Sequence, residues 1–166
     1  MEKKILYSPW RLDYILSEKD KKCIFCIKPQ KNDDSKHFIL YRSQTCFVIM
    51  NIYPYNNGHL MVVPNRHVSS LSQLTEEEIS DLFNTVRLSE TVLMENYSPE
   101  GINIGLNLGK AAGAGIDEHL HVHILPRWFG DSNFMTTIGE VRVIPESFER
   151  AYIRLKEQFD NKTSGK

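Results

Sequence analysis

The chain has 166 residues, 41% of them hydrophobic, with 20 Lys+Arg against 21 Asp+Glu and a formal charge of -1 at pH 7. That is apolar material for one compact core, and a single domain is the expectation. The near-neutral balance excludes bulk electrostatic capture of a nucleic acid polymer or an anionic membrane, no window approaches the roughly 18 apolar residues of a membrane span, and the charged start MEKKILYSPWRLDY is unlike a signal peptide, so a cytoplasmic protein is expected.

Residues 1–36 read as an N-terminal arm: a short helical candidate at 9–17, the pair Cys23 and Cys26, and the polar stretch KPQKNDDSK, too poor in apolar residues for a core element. Residues 37–166 carry the domain proper. HFILY (37–41), TCFVIMN (45–51) and HLMVVP (59–64) are β-branched and aromatic runs parted by the turn formers YRSQ and YPYNNG, the pattern of sequential antiparallel strands. Thr75 followed by Glu78 is a capping-box signature opening a helix over 75–97, with Ile79, Leu82, Phe83, Val86, Val92 and Leu93 near helical spacing. GINIGLNLG (101–109) resumes a strand, KAAGAGIDE is a glycine-rich loop, and HLHVHILP (119–126) alternates until Pro126 ends it. An amphipathic run over 145–159 gives a last helix. The order predicts an α+β fold, a mainly antiparallel sheet with one long and one C-terminal helix.

Alternation in HLHVHIL puts His119, His121 and His123 on one face of a strand and Leu120, Val122 and Ile124 on the other. Three imidazoles on one surface support two chemistries. They can coordinate a metal and leave a position open for water. Alternatively, one neutral imidazole attacks phosphorus to give a phosphoramidate while its neighbours donate hydrogen bonds to phosphate oxygens. KAAGAG, immediately upstream, favours the second, because glycines let backbone N–H groups approach an anion.

His119-Leu-His121-Val-His123-Ile-Leu resembles the His-φ-His-φ-His-φ-φ signature of the histidine triad (HIT) superfamily of nucleotide hydrolases and transferases. The likeness extends through NIYPYNNGHLMVVPNRH and INIGLNLG to HILPRW, and its texture is similar to the bacterial branch related to diadenosine tetraphosphate phosphorylases. The resemblance implies a HIT-like fold, a homodimer, and a nucleotidyl transferase that cleaves dinucleoside polyphosphates by phosphorolysis, with nucleotide and inorganic phosphate as its partners. It makes His121 the nucleophile and gives His123 the phosphate oxygens. His59 matches the fourth histidine near the site, Asn51 the residue that binds ribose hydroxyls, and Asn107 a strand-end Asn facing the phosphates. Trp128, just past the catalytic strand, is the aromatic residue best placed to stack on a base. HIT hydrolases commonly carry Gln four residues before the first histidine, where this chain has Gly115. That departure leaves room for a second anion on the backbone N–H groups of Gly113, Ala114 and Gly115, as phosphate acting as acceptor would need. A hydrolase releasing AMP and a nucleotide-binding regulatory module without turnover are the alternatives.

Three cysteines, Cys23, Cys26 and Cys46, are too few and odd in number for a secreted disulfide framework. A lone C-x-x-C serves zinc, redox chemistry or plain packing, and metal-free thiols stay open. The resemblance extends here too: several HIT proteins bind structural zinc through such a pair, a later histidine and the first histidine of the triad, which Cys23, Cys26, His67 and His119 match in order. No organic cofactor is implied. Cys46, on an apolar strand, reads as a small buried hydrophobe.

Overall fold

A computed structural model describes residues 23–27, 29, 33–131, 138 and 144–164. The helical candidate at 9–17 lies outside them. Two single-turn helices, α1 (Ile24–Ile27) and α2 (Asp34–His37), precede the strands β1 (Ile39–Arg42), β2 (Cys46–Met50) and β3 (Leu60–Pro64). The long helix α3 (Glu76–Tyr97), β4 (Gly101–Leu106), β5 (Val122–Arg127) and the C-terminal helix α4 (Phe148–Thr163) complete the order. The sheet runs β1-β2-β3-β5-β4 and every pairing is antiparallel, so the expected α+β architecture is found. Among the described residues no helix is long and apolar enough to cross a membrane.

Alternation along the strands gives the sheet two different faces. On one, Val48 and Met50 of β2, Leu60 and Val62 of β3, and Val122 and Ile124 of β5 join Leu82, Val86 and Leu93 of α3 and Leu155 and Phe159 of α4 in the larger core. The other face carries a smaller cluster of Ile39, Phe47, Ile49, Met61 and Val63, closed by Phe25 of α1. Met61 pairs with His123, so the histidines belong to this second face.

The capping box is as the sequence predicts: the Thr75 hydroxyl accepts from the Glu78 N–H and the Glu78 carboxylate accepts from the Thr75 N–H. Leu82, Thr85, Val86, Ser89, Val92 and Leu93 face inward at helical period. Phe83, expected with them, is 52% exposed, because Leu82 takes the inward position and the next residue turns about 100° away. Asp81 fixes α3 to the turn before β2, one carboxylate oxygen accepting from Ser43 Oγ (2.7 Å), Thr45 N (2.8 Å) and Thr45 Oγ1 (2.6 Å).

Several boundaries differ from expectation: β1 begins at Ile39, because His37 closes α2, β4 stops at Leu106 rather than Gly109, and β5 begins at Val122 rather than His119. Pro126 does not end β5, which runs on to Arg127. Pairing with β3 stops at Ile124, so Pro126 has a ladder partner, Ile102, on one side only, and a missing N–H is tolerated there as on an edge strand. The last helix begins after Ser147, whose hydroxyl caps the Arg150 N–H, and continues to Thr163.

Candidate functional site

His119 and His121 lie in the segment that leads into β5, His119 at a bend, and His123 is the second residue of the strand. The rings of His121 and His123 stand 4.7 Å apart, nearly perpendicular at 74°. His59 enters from the start of β3, its ring centroid 5.0 Å from that of His123. Gly58 makes this approach possible: its φ is +73°, and a Cβ there would fall 2.9 Å from Tyr97 Cε2 and 3.2 Å from Pro126 Cγ.

Hydrogen bonds assign the tautomer of each ring. The peptide N–H of Tyr55 donates to His59 Nδ1 at 3.1 Å, and a peptide N–H can only donate. His59 Nδ1 is therefore the bare nitrogen, also accepting from the Asn51 amide at 3.3 Å, and His59 Nε2–H donates to His123 Nδ1 at 2.8 Å. His123 is left with Nε2–H as a donor. His121 has the opposite arrangement: Nδ1–H donates to the His119 carbonyl at 2.9 Å, which leaves Nε2 with a lone pair. A nucleophilic nitrogen and an N–H donor thus stand on neighbouring rings. Burial lowers the pKa of His121, and burial together with His121 pushes His123 down to about 4, so both rings are neutral at pH 7.

His119 faces a different task. Its Nε2–H donates to the Pro64 carbonyl at 2.9 Å, so Nδ1 is bare, and that nitrogen lies 3.3 Å from Cys23 Sγ and 3.5 Å from Cys26 Sγ. His67 Nδ1 is 3.3 Å from Cys26 Sγ. The four donor atoms all lie within 4.8 Å of one another. Ligands at zinc bond lengths of about 2.0–2.3 Å in a tetrahedron would be roughly 3.3–3.8 Å apart, so the donor set and these three separations fit zinc. Burial and the neighbouring Cys23 push the Cys26 thiol up.

Of the residues singled out in the sequence, His59, His121, His123 and Asn51 converge on one constellation, and Cys23, Cys26, His67 and His119 on a second beside it. Asn51 already uses its side chain inside the protein, Oδ1 accepting from Tyr53 N and the amide donating to His59. The β4–β5 register ends at Leu106↔Val122, and Asn107 and His121 are the residues that flank this last pair. Gly113, with φ +88°, and Gly115 line an open loop where a Cβ would meet nothing within 4 Å. The Trp128 ring is turned to the helix side of the sheet, edge-on to Tyr97 at 6.3 Å. Sequence reading passed over two aromatic neighbours. Phe25 is fully buried against His119 and His121, and half-exposed Tyr55 lies 4.8 Å from His59 and 5.9 Å from His123. The apolar Ile-Phe between the two cysteines was the available signal for Phe25.

A family profile described as "HIT domain" matches residues 32–130. An "AP-4-A phosphorylase" of Mycobacterium tuberculosis is 40% identical over 150 residues, which is 85% of this chain and 76% of that relative. A "Bis(5'-nucleosyl)-tetraphosphatase (asymmetrical)" of Schizosaccharomyces pombe is 38% identical over 89 residues, 54% of this chain and 48% of that protein. Among solved structures, a zinc-bound histidine triad family protein from Mycobacterium smegmatis superimposes with a TM-score of 0.69 at 26% identity, over 88% of this chain and 99% of that one.

Proposed function

The chain belongs to the HIT domain family, and from that membership we propose that it is a nucleotidyl transferase cleaving dinucleoside polyphosphates, diadenosine tetraphosphate first among them, by phosphorolysis. The observation that carries this reading is the pairing of a bare His121 Nε2 with a donating His123 Nε2–H. In the first step the His121 lone pair forms an N–P bond to an α-phosphorus, the bridging P–O bond breaks, and ATP leaves with the bond's electrons. Nδ1–H, held on the His119 carbonyl, stabilises the imidazolium that results, and His123 Nε2–H holds a phosphate oxygen. In the second step an oxygen of inorganic phosphate attacks the same phosphorus, the N–P bond breaks, neutral His121 returns, and ADP is released. The open loop supports this acceptor, since a Cβ at Gly113 or Gly115 would meet nothing within 4 Å; the Gly113 N–H already donates to the Lys110 carbonyl at 3.0 Å, so the anion falls to the N–H groups of Ala114 and Gly115.

Zinc held by Cys23, Cys26, His67 and His119 would be structural: four protein ligands leave no position for water. It would tie the N-terminal arm to the strand that carries the nucleophile. A homodimer through β4 is consistent with an edge strand whose Ile104 is 46% exposed. Thiols kept as zinc ligands suit a reducing cytoplasm.

Product analysis after incubation with diadenosine tetraphosphate, with and without inorganic phosphate, tests the reading. ADP and ATP should form only with phosphate, and replacing Gly115 with Gln should move product from ADP toward AMP. AMP and ATP without phosphate would instead favour hydrolysis, the activity named for the fission yeast relative. Thermal stabilisation by the nucleotide with no product would leave a binding module.

A further inference from the structure

Phe25 sits between the two cysteines of the proposed metal site, yet its ring lies against both a proposed zinc ligand, His119, and the proposed nucleophile, His121. It is 1% exposed and lies edge-on to His119, 5.5 Å between centroids at 76°, and tilted against His121, 5.1 Å at 49°. His123 stands against His121 as well, at 4.7 Å and 74°. The His121 imidazole is thereby flanked by two rings, only one of which belongs to its own strand.

The backbone under Phe25 is fixed by the turn in which Cys26 N and Ile27 N donate to the Cys23 carbonyl, at 3.0 and 3.2 Å. Its side chain is fixed by the buried cluster of Ile39, Phe47, Ile49, Met61 and Val63. By contrast, His121 has one hydrogen bond among the described residues to hold its ring, and χ2 of an imidazole is a broad, roughly two-fold torsion. A ring turned over about χ2 would present carbon where the attacking nitrogen belongs. A single bond to a carbonyl is a modest restraint, whereas a packed aromatic wall blocks the swing sterically.

We infer that Phe25 is a positioning residue for His121, clamping its imidazole so that Nδ1–H stays on the His119 carbonyl and Nε2 stays in line for attack. The inference rests on His121 being the nucleophile. It assigns the Cys-x-x-Cys segment a part in the reaction that metal binding alone does not require.

The test compares three full-length proteins purified without chelator: wild type, Phe25→Leu, and Phe47→Leu as a control that loosens the same cluster without a described contact to an imidazole. Phe25→Leu should lower kcat about tenfold or more with KM changed less than about twofold, as for a displaced reacting atom. Its imidazole 15N spectrum at pH 8 should show His121 as a mixture of forms where wild type shows one Nδ1–H tautomer. Phe47→Leu should lose thermal stability to a similar degree and keep both kcat and the single tautomer. Equal effects of the two substitutions, or an unchanged tautomer and kcat in Phe25→Leu, would overturn the inference. Should Phe25→Leu not fold, Phe25→Met, which keeps more of the side chain's length, is judged by the same two readouts. A wild-type protein without turnover would defeat the proposed function, and the tautomer spectra would then decide on Phe25 alone.

Discussion

At the scale of single residues, the chemistry depends on which nitrogen carries a proton. His121→Asn keeps a side-chain donor for the His119 carbonyl but removes the proposed nucleophile, and turnover of diadenosine tetraphosphate should fall roughly 100-fold or more. Acid should act in the same direction. Burial lowers the pKa of His121, so activity should hold level through neutral pH and decline only below the ordinary histidine range. Stability follows the same sign. His123 titrates near 6.5 when unfolded and at about 4 when folded, so between those values the unfolded chain binds more protons and is favoured as pH falls. This contribution is complete above the unfolded value and is lost on descending toward the folded one. Thermal melts across that window should show Tm falling with pH, with a shallower fall in His123→Asn; a flat wild-type profile would contradict the assignment.

At the scale of elements, the α1 turn and its cysteines bear the strongest expectation: elemental analysis of protein purified without chelator should find about one zinc per chain, as a closed four-ligand site requires. Less than about a tenth of a zinc would refute the site, and Cys26→Ser should lose the metal and lower Tm. The elements themselves were largely legible in the sequence, because period-2 and period-3.6 patterns and the Thr75 to Glu78 box are local. The errors are equally physical. Pro126 was read as a stop because sequence does not show that its one missing N–H has no partner strand to face. Phe83 was counted with the core because hydrophobicity alone does not say which of two adjacent residues turns inward. Within the site, the alternating histidines were visible, but the relay from Tyr55 N through His59 to His123 was not, since it joins a loop amide to a strand 64 residues beyond His59.

At the scale of the molecule, the described residues place different elements on the two faces of the sheet. One face lies under two helices of 22 and 16 residues, the other under a described turn of four. Among the described residues the second face has the smaller apolar cluster, so it should open at a lower local stability than the first, which opens with the whole fold. The three cysteines are divided between these layers: Cys23 and Cys26, partly exposed, on the second face, and Cys46 fully buried beneath α3. They therefore form an internal clock for unfolding. Alkylation in the presence of a chelator should consume two thiols in a fast phase and the third at the far slower rate of global unfolding. A single phase for all three would mean that the nucleophile's wall and the helical core come apart as one.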